Sequence, residues 1–187
     1  MRGSLQRLLL VCGLACVAYG TYIPAKAWLA QGLLESAWER RLAGEASPKP
    51  WPWADTVPLA RLTQPRLGIE QVVLSGSSGR VLAFGPGHIH DSARPGQAGN
   101  VVLSGHRDTH FRWLKELRDG DELELQISDG RARRYQVIQR AVYHEDEVGL
   151  TDPLDGDQLR LVTCYPFEGV DSGTQQRYVV TARPIVL

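Results

Sequence analysis

The sequence predicts a mainly β fold: a closed or nearly closed barrel of about eight strands with short helices, preceded by one N-terminal membrane helix. Three observations carry this. Short Val, Leu and Ile runs recur along the chain among nineteen glycines and eleven prolines, the punctuation of a turn-rich, strand-dominated domain. Several runs alternate apolar and polar residues with the period of two that half-buried strands show. One uncharged stretch near the N-terminus is too long and too apolar to belong to such a barrel. Many strands at short spacing with little helix are best satisfied by closing the sheet on itself.

The elements follow in order. "LLLVCGLACVAYGTYI" (8–23) carries no charge, and Arg2, Arg7 and the α-amino group precede it. A bilayer core of about 30 Å needs about 20 helical residues. The run reaches that length through Ala30 if the Lys26 ammonium snorkels to the interface. Residues 1–30 are therefore expected to be a signal-anchor, its N-terminus in the cytoplasm and the rest of the chain on the exported side. Two alternatives stay open. "AKA" (25–27) has the small-x-small look of a signal-peptidase site, and "GLAC" (13–16) faintly suggests a lipoprotein site, although Gly13 stands where a branched apolar residue belongs. The helical pattern of "WLAQGLLESAWERRL" (28–42) favours the uncleaved anchor, and all three readings export the domain. Prolines 48, 50, 52 and 58 then predict an extended spacer, so residues 31–56 read as a helical extension plus a Pro-rich spacer. Trp51 and Trp53 are expected to dock on the domain, with the membrane surface as the other possibility. The folded unit is expected over 57–187.

Within it, "LARLTQPRLGI" (59–69) and "QVVLS" (71–75) read as strands, with a turn or helix entry at Gly76–Gly79. "GNVVLSGHRD" (99–108) is a buried strand ending in a glycine turn, and "FRWLKEL" (111–117) a short helix closed by "RDGD". "ELELQI" (122–127) and "RRYQVIQRAVYH" (133–144) alternate as half-buried strands. "DQLRLVTC" (157–164) and "RYVVTARPIV" (177–186) complete the set.

The 21 basic and 21 acidic residues balance, which gives no electrostatic argument for nucleic-acid binding. The cysteines are more informative. Cys12 and Cys16 lie in the expected span, which leaves Cys164 without an intramolecular disulfide partner. An unpaired thiol on the oxidising side of a membrane suggests a reactive nucleophile; the alternative is a buried cysteine acting as a small hydrophobe. A thiolate needs a cationic or basic neighbour near neutral pH. Of the five histidines at 88, 90, 106, 110 and 144, His106 follows "VVLSG", so a buried strand delivers it to a barrel rim. His110 lies four residues on, and spacing alone does not separate the two. Arg177 opens the final strand; acyl transfer needs positive charge or N–H donors where the carbonyl oxygen becomes negative, and a guanidinium stays charged at any working pH.

Taken together these residues resemble the sortase family of membrane-anchored cysteine transpeptidases. The family signature T-L-x-T-C reads here "RLVTC", so Leu161, Thr163 and Cys164 match while Arg160 replaces the first Thr. Arg160 is expected to point away from the nucleophile by strand alternation. "SGHRDTHF" resembles the family's histidine motif and places the catalytic histidine at His106. The family's arginine heads the last strand about a dozen residues past the cysteine, where Arg177 stands. "GPGHIHDSARPGQAGN" (85–100) resembles the segment before the histidine strand, and the wording of the motifs is nearest to class D-, class E- or Gram-negative-type sortases. The resemblance implies a sortase β-barrel over 57–187 that cuts an LPxTG-like signal on exported proteins. Cys164 would be the nucleophile, His106 the acid and base, and Arg177 the holder of the oxyanion. The implied partners are exported proteins with a C-terminal sorting signal, an amine acceptor and the membrane, with no nucleic acid and no cofactor.

Other chemistries compete. "HIHD" (88–91) and "HRDTH" (106–110) offer histidine pairs of zinc-binding type, but neither has a third and fourth ligand at a recognised spacing, so no metal is expected. L,D-transpeptidases also use an exported cysteine, but theirs normally follows Gly or Ser-x-Gly, and Cys164 follows Thr163. A non-catalytic, tethered β-barrel that binds partners or scaffolds an assembly remains the alternative from another class.

Overall fold

The computed structural model describes residues 2–146, 156–169 and 173–185. One helix, α1 (Arg2–Leu42), runs through the expected anchor and its extension without a break. Its 41 residues make a rod about 62 Å long at 1.5 Å per residue. Pro24 lies inside it and removes one i→i−4 backbone hydrogen bond. The two ends of α1 differ in what they bury. Leu10, Val11, Leu14, Val17 and Ile23 are exposed, whereas Leu34, Ala37 and Trp38 are fully buried. The last three fall at helical i, i+3, i+4 spacing, so they form one stripe. Leu34 and Trp38 pack with Val72 and Leu74 of the barrel wall and with Val81.

The proline-rich segment is not a free tether. Pro48, Pro50, Ala54 and Thr56 are buried, and Thr56 Oγ1 donates to Ser75 O at 2.8 Å. Proline lacks an N–H, so burying it leaves no backbone donor to satisfy. Trp51 docks edge-on against Phe84 with ring centroids 4.9 Å apart. Trp53 does not dock; it is 82% exposed.

Eight strands follow: β1 (Pro58–Gln64), β2 (Ile69–Ser75), β3 (Gly87–His88), β4 (Asn100–Ser104), β5 (Glu122–Ile127), β6 (Ala132–His144), β7 (Gln158–Tyr165) and β8 (Gln176–Pro184). They close into a barrel in the order β1-β2-β3-β4-β7-β8-β6-β5, with β5 pairing back onto β1. Alternation does the sorting: Leu62, Val73, Leu103, Leu125, Leu161 and Val180 point inward and are fully buried. Phe111, Trp113 and Leu114, on and beside a 3₁₀ turn over Arg112–Glu116, join that core where a short helix was expected.

Some boundaries differ from the sequence reading. The strand expected over 59–69 stops at Gln64, because Pro65 cannot donate to the ladder and begins a 3₁₀ turn, Pro65–Leu67. Gln64 Oε1 accepts from Leu67 N at 2.6 Å, and Gly68 takes a φ of +64° that reverses the chain into β2. The short β3 left no periodic signal. It forms because Gly87 lets the backbone pass Gly76, where a Cβ would stand 2.1 Å from the Gly76 carbonyl oxygen. Gly79–Leu82 is one helical turn, α2, N-capped by the Ser78 side chain. The final strand, expected over 177–186, runs from Gln176 to Pro184, and residue 186 lies outside the described residues.

Candidate active site

Three neighbouring strands carry the site. β7 lies between β4, which runs parallel to it, and β8, which runs antiparallel. Along β7, Leu159, Leu161 and Thr163 face the barrel interior, and Val162 joins Val102 and Val179 in a separate outer cluster. Cys164 has the parity of Val162 and lies on that outer face, partly exposed, one residue before β7 ends. Pro166 then follows Tyr165 and stops the ladder.

The placement of the histidine follows from the β4–β7 register. Ser104 pairs with Val162, Gly105 N donates to Val162 O at 3.2 Å, and the buried Thr163 hydroxyl donates to Gly105 O at 2.7 Å. These bonds carry the pairing one residue past the strand end, so His106 leaves β4 level with Cys164. Gly105 is required there: a Cβ would meet the Phe111 ring at 2.8 Å. On the other side of β7, Arg177 is the direct cross-strand partner of Cys164. Tyr143 of β6 is in turn the partner of Arg177. His106, Cys164, Arg177 and Tyr143 thus lie in one row across four adjacent strands. Val102, Val162 and Val179, with Ile89 and Tyr143 packed on them, form an apolar floor beside it.

The row is unevenly committed. His106 is exposed and Cys164 half-buried. Arg177 is held: its guanidinium donates to Thr174 O and, at 3.0 Å, to Gln176 O. It also pairs with Glu145 Oε2 at 2.6 Å. His110, the rival of His106, turns into the protein instead. Burial pushes its pKa below the ordinary histidine value, with the Ala83 carbonyl opposing and the charge of His106 adding to the shift. A neutral, half-buried imidazole off the row is a poor partner for a thiol on it.

Arg160 is a correction. Residues four apart on a strand share a face, so Arg160 lies on the outer face with Cys164, about 13 Å down the strand at 3.3 Å per residue. Its partner on β4 is Val102, and its Nε donates to Gln158 Oε1 at 3.1 Å. Of the histidines weighed as metal ligands, His88 is buried with Nε2 at 2.9 Å from Ala93 O and 3.1 Å from Ser92 Oγ. Among the described residues no three His, Cys, Asp or Glu side chains gather as a metal site.

The profile of the sortase domain matches residues 62–185, from β1 to the end of β8. The chain belongs to the sortase family. Sortase D of Bacillus subtilis (strain 168) is 34% identical over 122 residues, 65% of this chain and 61% of that protein, so the likeness spans less than two thirds of that relative's length. A solved Clostridium perfringens Sortase D5 transpeptidase is 25% identical with a TM-score of 0.61, covering 81% of this chain and 89% of its own. A Clostridium perfringens sortase C, solved with the C-terminal cell wall sorting motif, is 24% identical with a TM-score of 0.63, covering 87% and 91%. Two of the three carry the letter D, one of the classes that the motif wording resembles.

The sortase barrel brings two further residues close to the row, neither of them singled out by the sequence. Arg107, next to His106, is buried and donates to Gly169 O at 2.6 Å, tying the turn after β4 to the segment after β7. A side chain at Gly169 would stand 3.1 Å from that guanidinium. Glu145 reaches Arg177 from just past β6, where the pairing with the chain before β8 continues: Glu145 N donates to Gln175 O at 2.7 Å, one step past the His144–Gln176 pair. Neither contact has a sequence signature, since each joins residues far apart in the chain.

Proposed function

We propose that the chain is a membrane-anchored sortase transpeptidase acting on exported proteins through Cys164, His106 and Arg177. The observation that supports this is the single row these side chains form across β4, β7 and β8, on one face and at one rim. The Cys164 sulfur attacks the carbonyl carbon that follows the Thr side chain of an LPxTG-like signal. His106 protonates the departing amine as the C–N bond breaks, leaving a thioester on Cys164. An incoming amine then attacks the thioester, gives its proton to His106 and carries the acyl group away. Arg177 donates N–H bonds to the carbonyl oxygen while it bears negative charge. Water in place of the amine gives hydrolysis. The sorting motif present in the related sortase C structure supports the substrate class.

The apolar half of α1 is long and apolar enough to cross a bilayer. In this reading it does so with Arg2 and Arg7 on the cytoplasmic side and the barrel on the other. Substrates held in the same membrane meet the enzyme at a raised effective concentration.

The test is Cys164→Ala with a library of LPxTG-type pentapeptides and glycine or lysine acceptors, read by mass spectrometry. A methyl group replaces the thiol with little change in volume, so the barrel stays folded, while cleavage and acyl-enzyme both disappear. Turnover near the wild-type rate in a folded variant overturns the proposal.

A further inference from the structure

Arg177 has five N–H donors, and the protein engages three of them, leaving two for a substrate oxygen. Two of the three acceptors, Thr174 O and Gln176 O, are backbone groups within three residues of Arg177 and hold only its Nη1 end. The third, Glu145, comes from the end of β6, 32 residues away in sequence, and holds Nη2. Without it one end of the guanidinium is unrestrained. Nothing in packing terms accounts for Glu145: its side chain is 40% exposed and that of Arg177 27%. An ion pair so exposed adds little to stability.

We propose that Glu145 is a positioning residue of the sortase reaction: its carboxylate fixes the guanidinium of Arg177 so that the two remaining N–H donors meet the substrate carbonyl beside Cys164. This rests on the role proposed above for Arg177. Arginine's value at an oxyanion lies in a directed fork, and a fork hinged at one end loses much of that direction. Glu145 acts through Arg177, so it contributes to the transition state and not to the thiol.

The experiment is a double-mutant cycle with Glu145→Ala and Arg177→Ala in the full chain. It uses a fluorogenic LPxTG-type pentapeptide with glycine as acceptor, and reads kcat and KM separately. Cys164 alkylation by a neutral thiol reagent and the melting temperature are measured alongside. Glu145→Ala should lower kcat about tenfold with KM changed less than about twofold, and leave alkylation and melting at wild-type values. In the Arg177→Ala background the same change should have no further effect, because the group it orients is gone. Glu145→Gln, which keeps an acceptor oxygen, should fall between. A faster Glu145→Ala enzyme would mean that the carboxylate obstructs Arg177; an unchanged one, or full additivity with Arg177→Ala, would make the pair a surface contact. Each of those overturns the proposal alone, with Cys164→Ala still inactive. Turnover that survives Cys164→Ala removes the catalytic reading first and this one with it.

Discussion

Two stretches of the barrel wall face outward and use the same residue types for opposite ends. On the β1–β2 side, α1 lies against the wall and charged side chains pair across the contact. Arg61 pairs with Glu35 of the helix and, at 2.8 Å, with Glu70 of β2, while its guanidinium covers the Trp38 ring at 5.7 Å. Gln31 Nε2 donates to Phe84 O at 2.8 Å. On the β4-β7-β8 rim the polar side chains are left to meet something else. Among the described residues neither the Cys164 thiol nor the His106 ring makes a hydrogen bond, and Arg177 keeps two donors free. One wall is covered by the helix and the other is open at its strand ends. The helix contact and the proposed chemistry thus occupy non-adjacent parts of the barrel, which can therefore be damaged separately.

The largest effect should come from the covered wall. Trp38→Ala removes a fully buried ring between helix and barrel, a class of change that costs about 3–5 kcal/mol. Amide exchange over residues 31–42 should lose protection by about that free energy. Peptide turnover by the barrel should stay within about twofold, as expected for a site untouched by the change. A matching drop in kcat would show that the helix contact shapes the rim and would break the division.

The next effect belongs to the rim. Arg177→Lys keeps the charge and removes the fork, so losing a directed donor should cost about 2.7–4 kcal/mol of transition-state stabilisation, roughly 10²–10³ in kcat/KM. Melting should hardly move, since the pair with Glu145 is exposed. Cys164 alkylation should stay near wild type, because activation of the thiol is assigned to His106. Slowed alkylation would move Arg177's role onto the thiolate, and normal turnover would leave it a solvated strand residue.

The two walls were unequally legible in the sequence. The rim was readable because its residues sit at strand ends with local punctuation. "VVLSG" before His106, "RLVTC" before Pro166 and Arg177 at the head of the last alternating run each fixed one position, and β-pairing then brought them together. The barrel itself followed from the period of two. What escaped depends on contacts between distant segments. The stripe of Leu34, Ala37 and Trp38 reads as amphipathic helix, but nothing in it names Val72 and Leu74 as the surface it covers. Prolines 48 and 50 signal the absence of regular structure, not whether the segment is buried. Glu145 and Arg107 are ordinary charged residues until the ends of β6 and β7 place them. The Arg160 error was one of counting: four residues along a strand is an even step, and the same face returns.

The smallest effect belongs to His110, and its contrast with His106, four residues away, tests how sharply the rim is drawn. His106→Ala should lose at least about a hundredfold in kcat, the usual scale for removing a general acid, whereas His110→Ala should stay within about threefold. The structure supplies the reason. His106 follows Gly105 at the level of Cys164, while His110 is half-buried with its main-chain oxygen accepting from Gln71 Nε2 at 2.9 Å. Burial gives His110 a different signature, in stability. Its pKa is lowered in the fold, so on acidification below about 6.5 the unfolded chain takes up a proton that the folded chain resists. Stability is thus fully present above that pH and falls as pH drops. His88, also lowered by burial, adds to the same slope. In His110→Ala the acid loss of stability should be shallower than in the wild type, with turnover nearly intact. Melting temperature against pH for both single variants, beside kcat, gives the answer in one set of measurements. Reversed rate losses would assign the acid–base role to His110 and move the reactive row off the β4 strand end.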